Sequence, residues 1–328
     1  MTATGSRWML KLGFICVAAA CPLLASACDS SGDGQAEDGG AASDSPEKLV
    51  FLFQKQRNPE QTRANADAAA AFLSERLGIE VEAVVPGSYA ASVQALVSGQ
   101  ADVAYVSSLP FLLARRDADA RLLVAEVRED PTGVERTNYD SVWVVRADSD
   151  LMDMSDVAER ASDLTLCFTS ATSTSGFVMA SLRLVRERIL EPGQDAAEVF
   201  DSVAYGGGYS GALNEVLAGR ADLCAVSYYT VEGPNSDLYV TPERRDELRI
   251  IARTPEVPTH LICVRGGVSA ELSERITAAL LALSDERADL LESVYGAAEL
   301  REVDEDEHVA AAVEAMRAIE MPIDGLVK

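Results

Sequence analysis

The chain has 328 residues, of which 53 are acidic and 28 basic, so its formal net charge is −25 at pH 7. Nucleic acid is excluded as a partner, because binding a phosphate backbone needs a basic face. The length is sufficient for an N-terminal targeting segment followed by a body of two domains with a sizeable core.

The N-terminus predicts an export signal. Arg7 and Lys11 flank a short apolar run that ends at Leu24, and small residues then lead up to Cys28. This order is typical of a secretory signal peptide. We expect a signal over residues 1–27 and, because the small residues resemble a bacterial lipobox, lipid attachment at Cys28, with Cys21 as the weaker alternative. Loss of the signal would leave a net charge of −27.

Residues 28–47 predict a disordered acidic tether. They carry almost no apolar side chain larger than alanine, so they cannot bury enough surface to offset the entropy of ordering. Together with the signal, the tether predicts an exported protein, periplasmic or at the cell surface, that a lipid anchor holds at the membrane.

The body alternates strand-like and helix-like patterns. Strands are predicted over residues 49–53, 81–85, 101–106, 120–127, 141–146, 164–169, 201–205, 221–226, 248–252 and 261–264. Helices are predicted over 63–77, 176–190, 269–283 and 309–319, with two more beginning near Tyr89 and Tyr209. This alternation predicts an α/β fold with mixed or parallel sheets between layers of helices.

Two segments of the body repeat each other. Residues 87–107 align without a gap on residues 207–227, and each copy has a tyrosine near a helix start, a glycine at the helix end and a strand that ends in serine (Ser107, Ser227). We therefore predict two similar lobes facing a shared cleft. The first would comprise residues 48–145 plus 256–328 and the second residues 146–255, with crossings near residues 144–147 and 253–260.

Cysteine and histidine usage argues against a metal centre. Cys167, Cys224 and Cys263 each lie within an apolar run, and we predict buried core thiols, with one disulfide as the alternative. The body has no Cys-x-x-Cys and only His260 and His308, so we expect no zinc site and no cofactor. His260 would be either structural or at the rim of a pocket.

Hydroxyl residues crowd the segment after the strand predicted over 164–169. Six of them stand at positions 169, 170, 172, 173, 174 and 175, directly before Gly176. We call residues 169–176 the hydroxyl loop. By itself it fits an exposed helix cap with surplus polar residues as well as it fits an oxyanion site at a helix N-terminus. The serines that end the repeated strands favour the oxyanion site.

Over about residues 48–285 the chain resembles the phosphate-, phosphite- and phosphonate-binding subunits of bacterial ABC importers. Residues 173–177, Ser-Thr-Ser-Gly-Phe, match the Ser-Thr-Ser-Gly-Tyr loop of that family. Residues 99–104 match its Gly-x-Ala/Val-Asp-Val-Ala strand entry, and residues 204–209 stand where it has a Gly-Gly-His-like turn. The resemblance implies a two-lobed periplasmic-binding-protein fold of the type II kind that closes on its ligand by hinge motion. It also implies a monomer that works with a membrane permease.

The resemblance also implies a set of ligand residues. The hydroxyl loop would hold the phosphorus-bound oxygens, and polar residues of both repeats would complete the site. The resulting ligand set is Thr172, Ser173, Thr174, Ser175, Tyr89, Ser107, Ser108, Tyr209, Ser227 and Tyr228.

Two departures from the family pattern bear on the ligand. Tyr209 stands where receptors for amino-substituted phosphonates often carry histidine, and Tyr228 and Tyr229 stand where they place acidic residues. Because a buried ammonium group without a partner is costly, an aminoalkyl ligand is disfavoured unless Glu232 reaches inward. We expect phosphate, phosphite or a phosphonate with a small uncharged tail. Tyr228 and Tyr229 could alternatively serve inter-lobe packing.

The sequence thus predicts a lipid-anchored solute-binding protein of an ABC importer. The alternative is a ligand-sensing partner of a membrane sensor kinase for another oxyanion. No nucleophile elbow, phosphate-binding glycine loop or Cys/His pair is present, so we do not expect an enzyme.

Overall fold

A computed structural model describes residues 46–130 and 132–321. The predicted signal peptide, Cys28 and all but the last two residues of the predicted tether lie outside this part. Within it, no helix has both the length and the apolar character needed to cross a bilayer.

The strands that the structure describes form two mixed sheets. In chain order they are β1 (Lys48–Phe53), β2 (Glu80–Val84), β3 (Val103–Val106), β4 (Arg121–Glu129), β5 (Glu135–Arg136), β6 (Asn138–Arg146), β7 (Thr165–Phe168), β8 (Ser202–Tyr205), β9 (Leu223–Ser227), β10 (Leu248–Pro258), β11 (Leu261–Val264) and β12 (Glu299–Arg301).

Helices cover the sheets. They are α1 (Pro59–Leu77), α2 (Tyr89–Val97), α3 (Ser108–Ala118), α4 (Met154–Arg160), α5 (Ala180–Arg186), α6 (Tyr209–Leu217), α7 (Pro242–Arg245), α8 (Ala270–Glu286), α9 (Ala288–Tyr295) and α10 (Glu305–Ala318). A π-helical turn, Thr174–Met179, precedes α5, so the helix predicted over 176–190 starts irregularly and ends early. The sequence analysis does not predict α3, α7 or α9.

Both sheets have the same central arrangement. The first runs β12-β4-β11-β3-β1-β2, with β5 paired to β4, and the second runs β10-β6-β9-β7-β8. In each, a repeated strand (β3 or β9) lies between a parallel neighbour and an antiparallel one. The predicted α/β fold with two mixed sheets and flanking helices is confirmed. We call the halves built on the two sheets the first and second lobes.

The chain crosses between the sheets earlier than the sequence predicts. Because β6 already belongs to the second sheet, the first crossing lies between β5 and β6 and not at residues 144–147. The return lies between β10 and β11, within the predicted range 253–260. Finally, α10 begins against the first lobe, where Glu305 accepts a hydrogen bond from the amide of Leu122 (2.8 Å), and ends in the second, where Met316 is buried. The residue bounds of the lobes remain a prediction.

The repeated segments perform the same structural task in each sheet. A carboxylate oxygen of Asp102 accepts a hydrogen bond from the amide of Val50 (2.9 Å), and one of Asp222 accepts from the amide of Thr165 (2.7 Å). Each carboxylate thereby ties the start of the repeated strand to its parallel neighbour. The repeat is therefore structural as well as sequential.

The three cysteines of the described chain are buried and free, which confirms the prediction of core thiols. Burial raises the pKa of the Cys167 thiol to about 12. Burial likewise places the pKa of Cys224 well above its ordinary value. These thiols are therefore protonated and unreactive in the folded protein.

Candidate ligand-binding site

The hydroxyl loop is buried and tightly packed. Ser173 caps the π-helical turn, because its Oγ accepts a hydrogen bond from the amide of Gly176 (3.1 Å). Thr169 Oγ1 donates to the carbonyl of Ala225 (2.8 Å). A Cβ on Gly176 would lie only 2.2 Å from Thr169 Oγ1, so only glycine fits there. The helix cap exists, but an exposed loop does not describe residues 172–175, none of which is more than 3% exposed.

Hydroxyl groups from one edge of the second sheet meet at Ser175. Its Oγ lies 2.9 Å from the phenol oxygen of Tyr209 and 2.9 Å from Ser227 Oγ. Ser141 holds the backbone of Ser175 by donating to its carbonyl (2.9 Å). We call Ser175, Tyr209 and Ser227 the hydroxyl cluster. Each of its side chains is 0% exposed. The structure thus brings together three residues of the predicted ligand set, and their role in binding stays a prediction.

Two further phenols face the hydroxyl cluster. Tyr89 comes from the first lobe and Tyr139 from β6, and neither phenol oxygen has a hydrogen-bond partner within the described residues. Burial, and then the proximity of Tyr209 and Tyr139, raises the pKa of Tyr89. Burial and then Tyr209 raise the pKa of Tyr139, which also lies close to Ser227 and Ser175. The phenols of Tyr89 and Tyr139 are therefore neutral donors at physiological pH.

The predicted serines of the first lobe lie at the start of α3. Gln54 holds Ser107, because its Oε1 accepts from the Ser107 amide (3.2 Å) and its Nε2 donates to Ser107 Oγ (3.3 Å). Ser108 Oγ is buried without a partner among the described residues. The amide of Leu109 donates to Thr174 Oγ1 (2.8 Å), so Thr174 connects the hydroxyl loop to the opposite lobe. Thr172, by contrast, bonds within its own loop.

Tyr228 and Tyr229 serve contacts between the lobes. Tyr228 donates its hydroxyl to the carbonyl of Glu129, and the guanidinium of Arg128 lies 3.7 Å from the ring centre of Tyr229. The Tyr229 ring also packs edge-on against Tyr209, with centroids 6.0 Å apart. Glu232 does not turn inward, because it pairs with Arg253 (2.6 Å) at the surface.

A buried charge network lies beside these aromatic rings. Arg128 donates to Glu126 (Nε to Oε1, 2.6 Å), and His260 Nδ1 lies 3.3 Å from the same carboxylate oxygen. Burial alone would raise the pKa of Glu126, but the charge of Arg128 and the contact with His260 outweigh it and lower the pKa to about 2. The His260 ring stacks on Tyr139 at 4° between planes. His260 is therefore a buried structural residue and not one on an exposed rim.

Two crevices of the described residues lie outside the hydroxyl cluster. A crevice of about 150 Å³ between the lobes is lined by Arg128, Tyr229 and three glutamates (Glu129, Glu232, Glu292). A larger one of about 520 Å³ lies at the β10 edge of the second sheet, away from the hydroxyls. Within the described ranges no group of three or more His, Cys, Asp and Glu side chains is placed to hold a metal ion.

The sequence missed Tyr139, Gln54 and the Glu126–Arg128 pair. Of these residues only Tyr139 could have been found from the sequence, because it stands two positions before a predicted strand, where a side chain can border a cleft. Glu126 looks like an ordinary acidic residue within a strand, and the neighbouring sequence does not indicate that Arg128 will pair with it.

A sequence profile of the family described as ABC transporter, phosphonate, periplasmic substrate-binding protein matches residues 51–308. The chain belongs to this family. The family is one of binding proteins, in agreement with the prediction that the chain is not an enzyme.

Two characterised relatives align with much of the chain. The phosphate-import protein PhnD of Mycolicibacterium smegmatis is 28% identical over 65% of this chain and 61% of its own length. The phosphonates-binding periplasmic protein of Escherichia coli is 25% identical over 62% of this chain and 56% of its own length. The chain thus aligns with only about three fifths of each relative.

Solved structures share the fold. A binding protein component of an ABC phosphonate transporter from Pseudomonas aeruginosa superposes with a TM-score of 0.71 over 85% of this chain and 96% of its own, at 16% identity. PhnD1 from Prochlorococcus marinus, in complex with methylphosphonate, also gives 0.71, over 85% and 100% of the two chains, at 17% identity.

Proposed function

We propose that this protein is a lipid-anchored extracytoplasmic solute-binding protein of an ABC importer. It binds a small phosphorus oxyanion, which is phosphate, phosphite or a phosphonate, between its lobes. The observation that carries this proposal is the buried hydroxyl cluster together with the unpartnered phenols of Tyr89 and Tyr139. Membership of the phosphonate-binding family supports it.

Unpaired buried hydroxyls favour an anionic ligand on energetic grounds. Leaving a buried donor unsatisfied costs about 1–3 kcal/mol, whereas a hydrogen bond to a charged group contributes about 1.5–3 kcal/mol. Tyr89, Tyr139 and Ser108 are three such donors. A tetrahedral oxyanion carries enough acceptor oxygens to satisfy them together with Ser175 and Ser227. The ligand would thereby remove a cost that the empty protein bears.

The surroundings of the cluster favour a ligand without an ammonium group. Glu126 is neutralised by Arg128, and Glu232 is engaged by Arg253 at the surface. Within the described residues neither acid is free to pair with an ammonium. The wall next to Tyr209 is aromatic, made of Tyr229 and Tyr239. This supports phosphate, phosphite or methylphosphonate over an aminoalkyl phosphonate.

Ligand entry requires the lobes to separate. Because the hydroxyl cluster is 0% exposed, an anion cannot reach it in the closed arrangement. Contacts between the lobes, such as Leu109 with Thr174, would form as the cleft closes. Closing on the ligand by a hinge at the two crossings is the motion this fold permits.

Titration calorimetry on the chain from residue 28 onward tests the proposal. We expect saturable binding of at least one of phosphate, phosphite and methylphosphonate, and weaker binding of 2-aminoethylphosphonate. Ser175→Ala removes a hydroxyl of the cluster, and Ser170→Ala is its matched control, since Ser170 belongs to the same loop but lies outside the cluster. Absence of saturable binding to all four ligands would reject the phosphorus assignment.

The anchor is tested separately in the full chain. Bacterial cells expressing it are grown with labelled palmitate, and the label should enter the wild type and Cys21→Ala but not Cys28→Ala. Labelling of Cys28→Ala would overturn the assignment of the lipid to Cys28.

A further inference from the structure

Gly208 lies unusually close to the opposite lobe. It directly precedes α6 in the second lobe, whereas Gln56 follows β1 in the first. A Cβ built on Gly208 would lie 2.9 Å from the carbonyl oxygen of Gln56 and 3.2 Å from its carbonyl carbon. The amide of Ser210 donates to the same oxygen at 3.4 Å. Since the colliding atoms belong to the backbone, a side chain at 208 could not be accommodated by a rotamer change.

The backbone of Gly208 does not itself require glycine. Its φ of 162° and ψ of 168° are those of extended chain, which any residue can adopt. The requirement comes entirely from the carbonyl across the cleft. It therefore applies only while the lobes are together.

The repeat provides an internal comparison. Ser88 stands at the equivalent position before α2, and its Oγ caps that helix by accepting from the amide of Ala91 (3.1 Å). No side chain caps α6. A serine at this position stabilises a typical helix relative to alanine. Position 208 thus lacks the cap that Ser88 provides in the first repeat, and it is position 208 that the carbonyl of Gln56 approaches.

Gln56 also contacts the second lobe through its side chain. Its Oε1 accepts from the phenol of Tyr239 at 2.9 Å and lies 3.5 Å from that of Tyr229. The residue is 0% exposed. One residue of the first lobe therefore touches the second at the start of α6 and at two tyrosines.

We propose that Gln56 and Gly208 form a closure latch. The carbonyl of Gln56 occupies the space that the missing side chain of Gly208 leaves, and this contact, together with the bonds to Ser210 and Tyr239, stabilises the closed state. A side chain at 208 leaves the open protein intact and opposes closure. The latch rests on the proposed function only in that closure accompanies ligand binding.

The expected effect follows from the closed fraction. Apparent affinity falls in proportion to the population of the binding-competent state. We expect Gly208→Ala to weaken binding of the ligand that the wild type prefers, among phosphate, phosphite and methylphosphonate, by at least tenfold. Gly208→Ser should weaken it as much, although serine supplies the missing cap. Gly87→Ala is the matched control, because a Cβ there meets nothing within 4 Å, and it should stay within twofold of the wild type.

Calorimetry of the four proteins measures the affinities, and thermal unfolding without ligand checks that each variant folds. Small-angle X-ray scattering with and without ligand measures closure, which Gly208→Ala and Gly208→Ser should reduce. Binding by both variants within twofold of the wild type would overturn the latch. If the wild type binds none of these ligands, the proposed function fails, but scattering of the ligand-free proteins still tests the latch. A more compact wild type than Gly208→Ala then supports the latch, and equal dimensions overturn it.

Discussion

The buried pair of Glu126 and Arg128 leads to a quantitative prediction on stability. The two side chains are 0% and 4% exposed. Glu126→Gln removes the negative charge and leaves the buried Arg128 guanidinium facing only neutral acceptors, such as the carbonyls of Tyr295 and Gly296. Removing one partner of a buried ion pair typically costs about 3–5 kcal/mol. We expect the free energy of unfolding to fall by this amount at pH 7.

The pH dependence has a definite sign. The pKa of Glu126 is lowered from an ordinary 4.5 to about 2, so the stabilisation is complete above pH 4.5 and is lost as the pH falls towards 2. A shift of this size corresponds to roughly 3 kcal/mol. The loss between pH 7 and pH 3.5 is about 1–2 kcal/mol by the same linkage. The difference between wild type and Glu126→Gln should narrow by that amount.

Urea unfolding of the ligand-free proteins at both pH values, followed by circular dichroism, provides the measurement. Glu159→Gln, which removes an exposed acid on α4, controls for the general change in charge. The reasoning is refuted if the free energy of unfolding of Glu126→Gln at pH 7 lies within 1 kcal/mol of the wild-type value. It is also refuted if the difference between the two free energies is no smaller at pH 3.5 than at pH 7.

Three further predictions concern the hydroxyl cluster, the repeat and the thiols. Ser175→Ala should weaken ligand binding by about 10- to 100-fold in calorimetry, since it removes a hydrogen bond to a charged group, and an unchanged affinity would contradict its role. Asp102→Ala and Asp222→Ala should each lower the free energy of unfolding by about 0.5–1.5 kcal/mol, because each removes a side-chain hydrogen bond to a strand amide. The loss should be larger for Asp102→Ala, since the Asp102 carboxylate also pairs with Arg265 (2.9 Å), and no loss in either variant would contradict the structural role of the repeated aspartates. A Cys28→Ser form of the mature chain retains three thiols, those of Cys167, Cys224 and Cys263. A thiol reagent should label none of them in the native protein and all three after denaturation, as counted by mass spectrometry.

The sequence predicted those parts of the fold that depend on local pattern. The alternation of strand and helix specified two mixed sheets, and the repeat specified that β3 and β9 occupy equivalent places. Errors arose where tertiary contacts override the pattern. The helix α3 was missed because Pro110 stands inside its first turn, although proline is tolerated there. The first crossing was misplaced because β6 looks alike whichever sheet it joins.

The site divides in the same way. Ser175, Tyr209 and Ser227 were predicted together, because the loop and the repeated strand place them at the same edge of the second sheet. Tyr139 and Gln56 were not, because the place of Tyr139 depends on which sheet β6 joins and that of Gln56 on how the lobes approach each other. Thr174 is predicted to face the ligand, and its oxygen accepts from the amide of Leu109 across the lobes, a contact that the sequence does not indicate. A one-dimensional pattern contains no information on which hydroxyl a neighbouring lobe will use.

The glutamates around the inter-lobe crevice have a consequence for kinetics. Glu129, Glu232 and Glu292 line its mouth on a protein whose net charge is −25. An anion that approaches this mouth is repelled, and dissolved salt screens that repulsion over about 8 Å at physiological ionic strength. Capture of the anion should therefore become faster as salt is added, the reverse of electrostatically steered association. Such a receptor would perform best in saline surroundings.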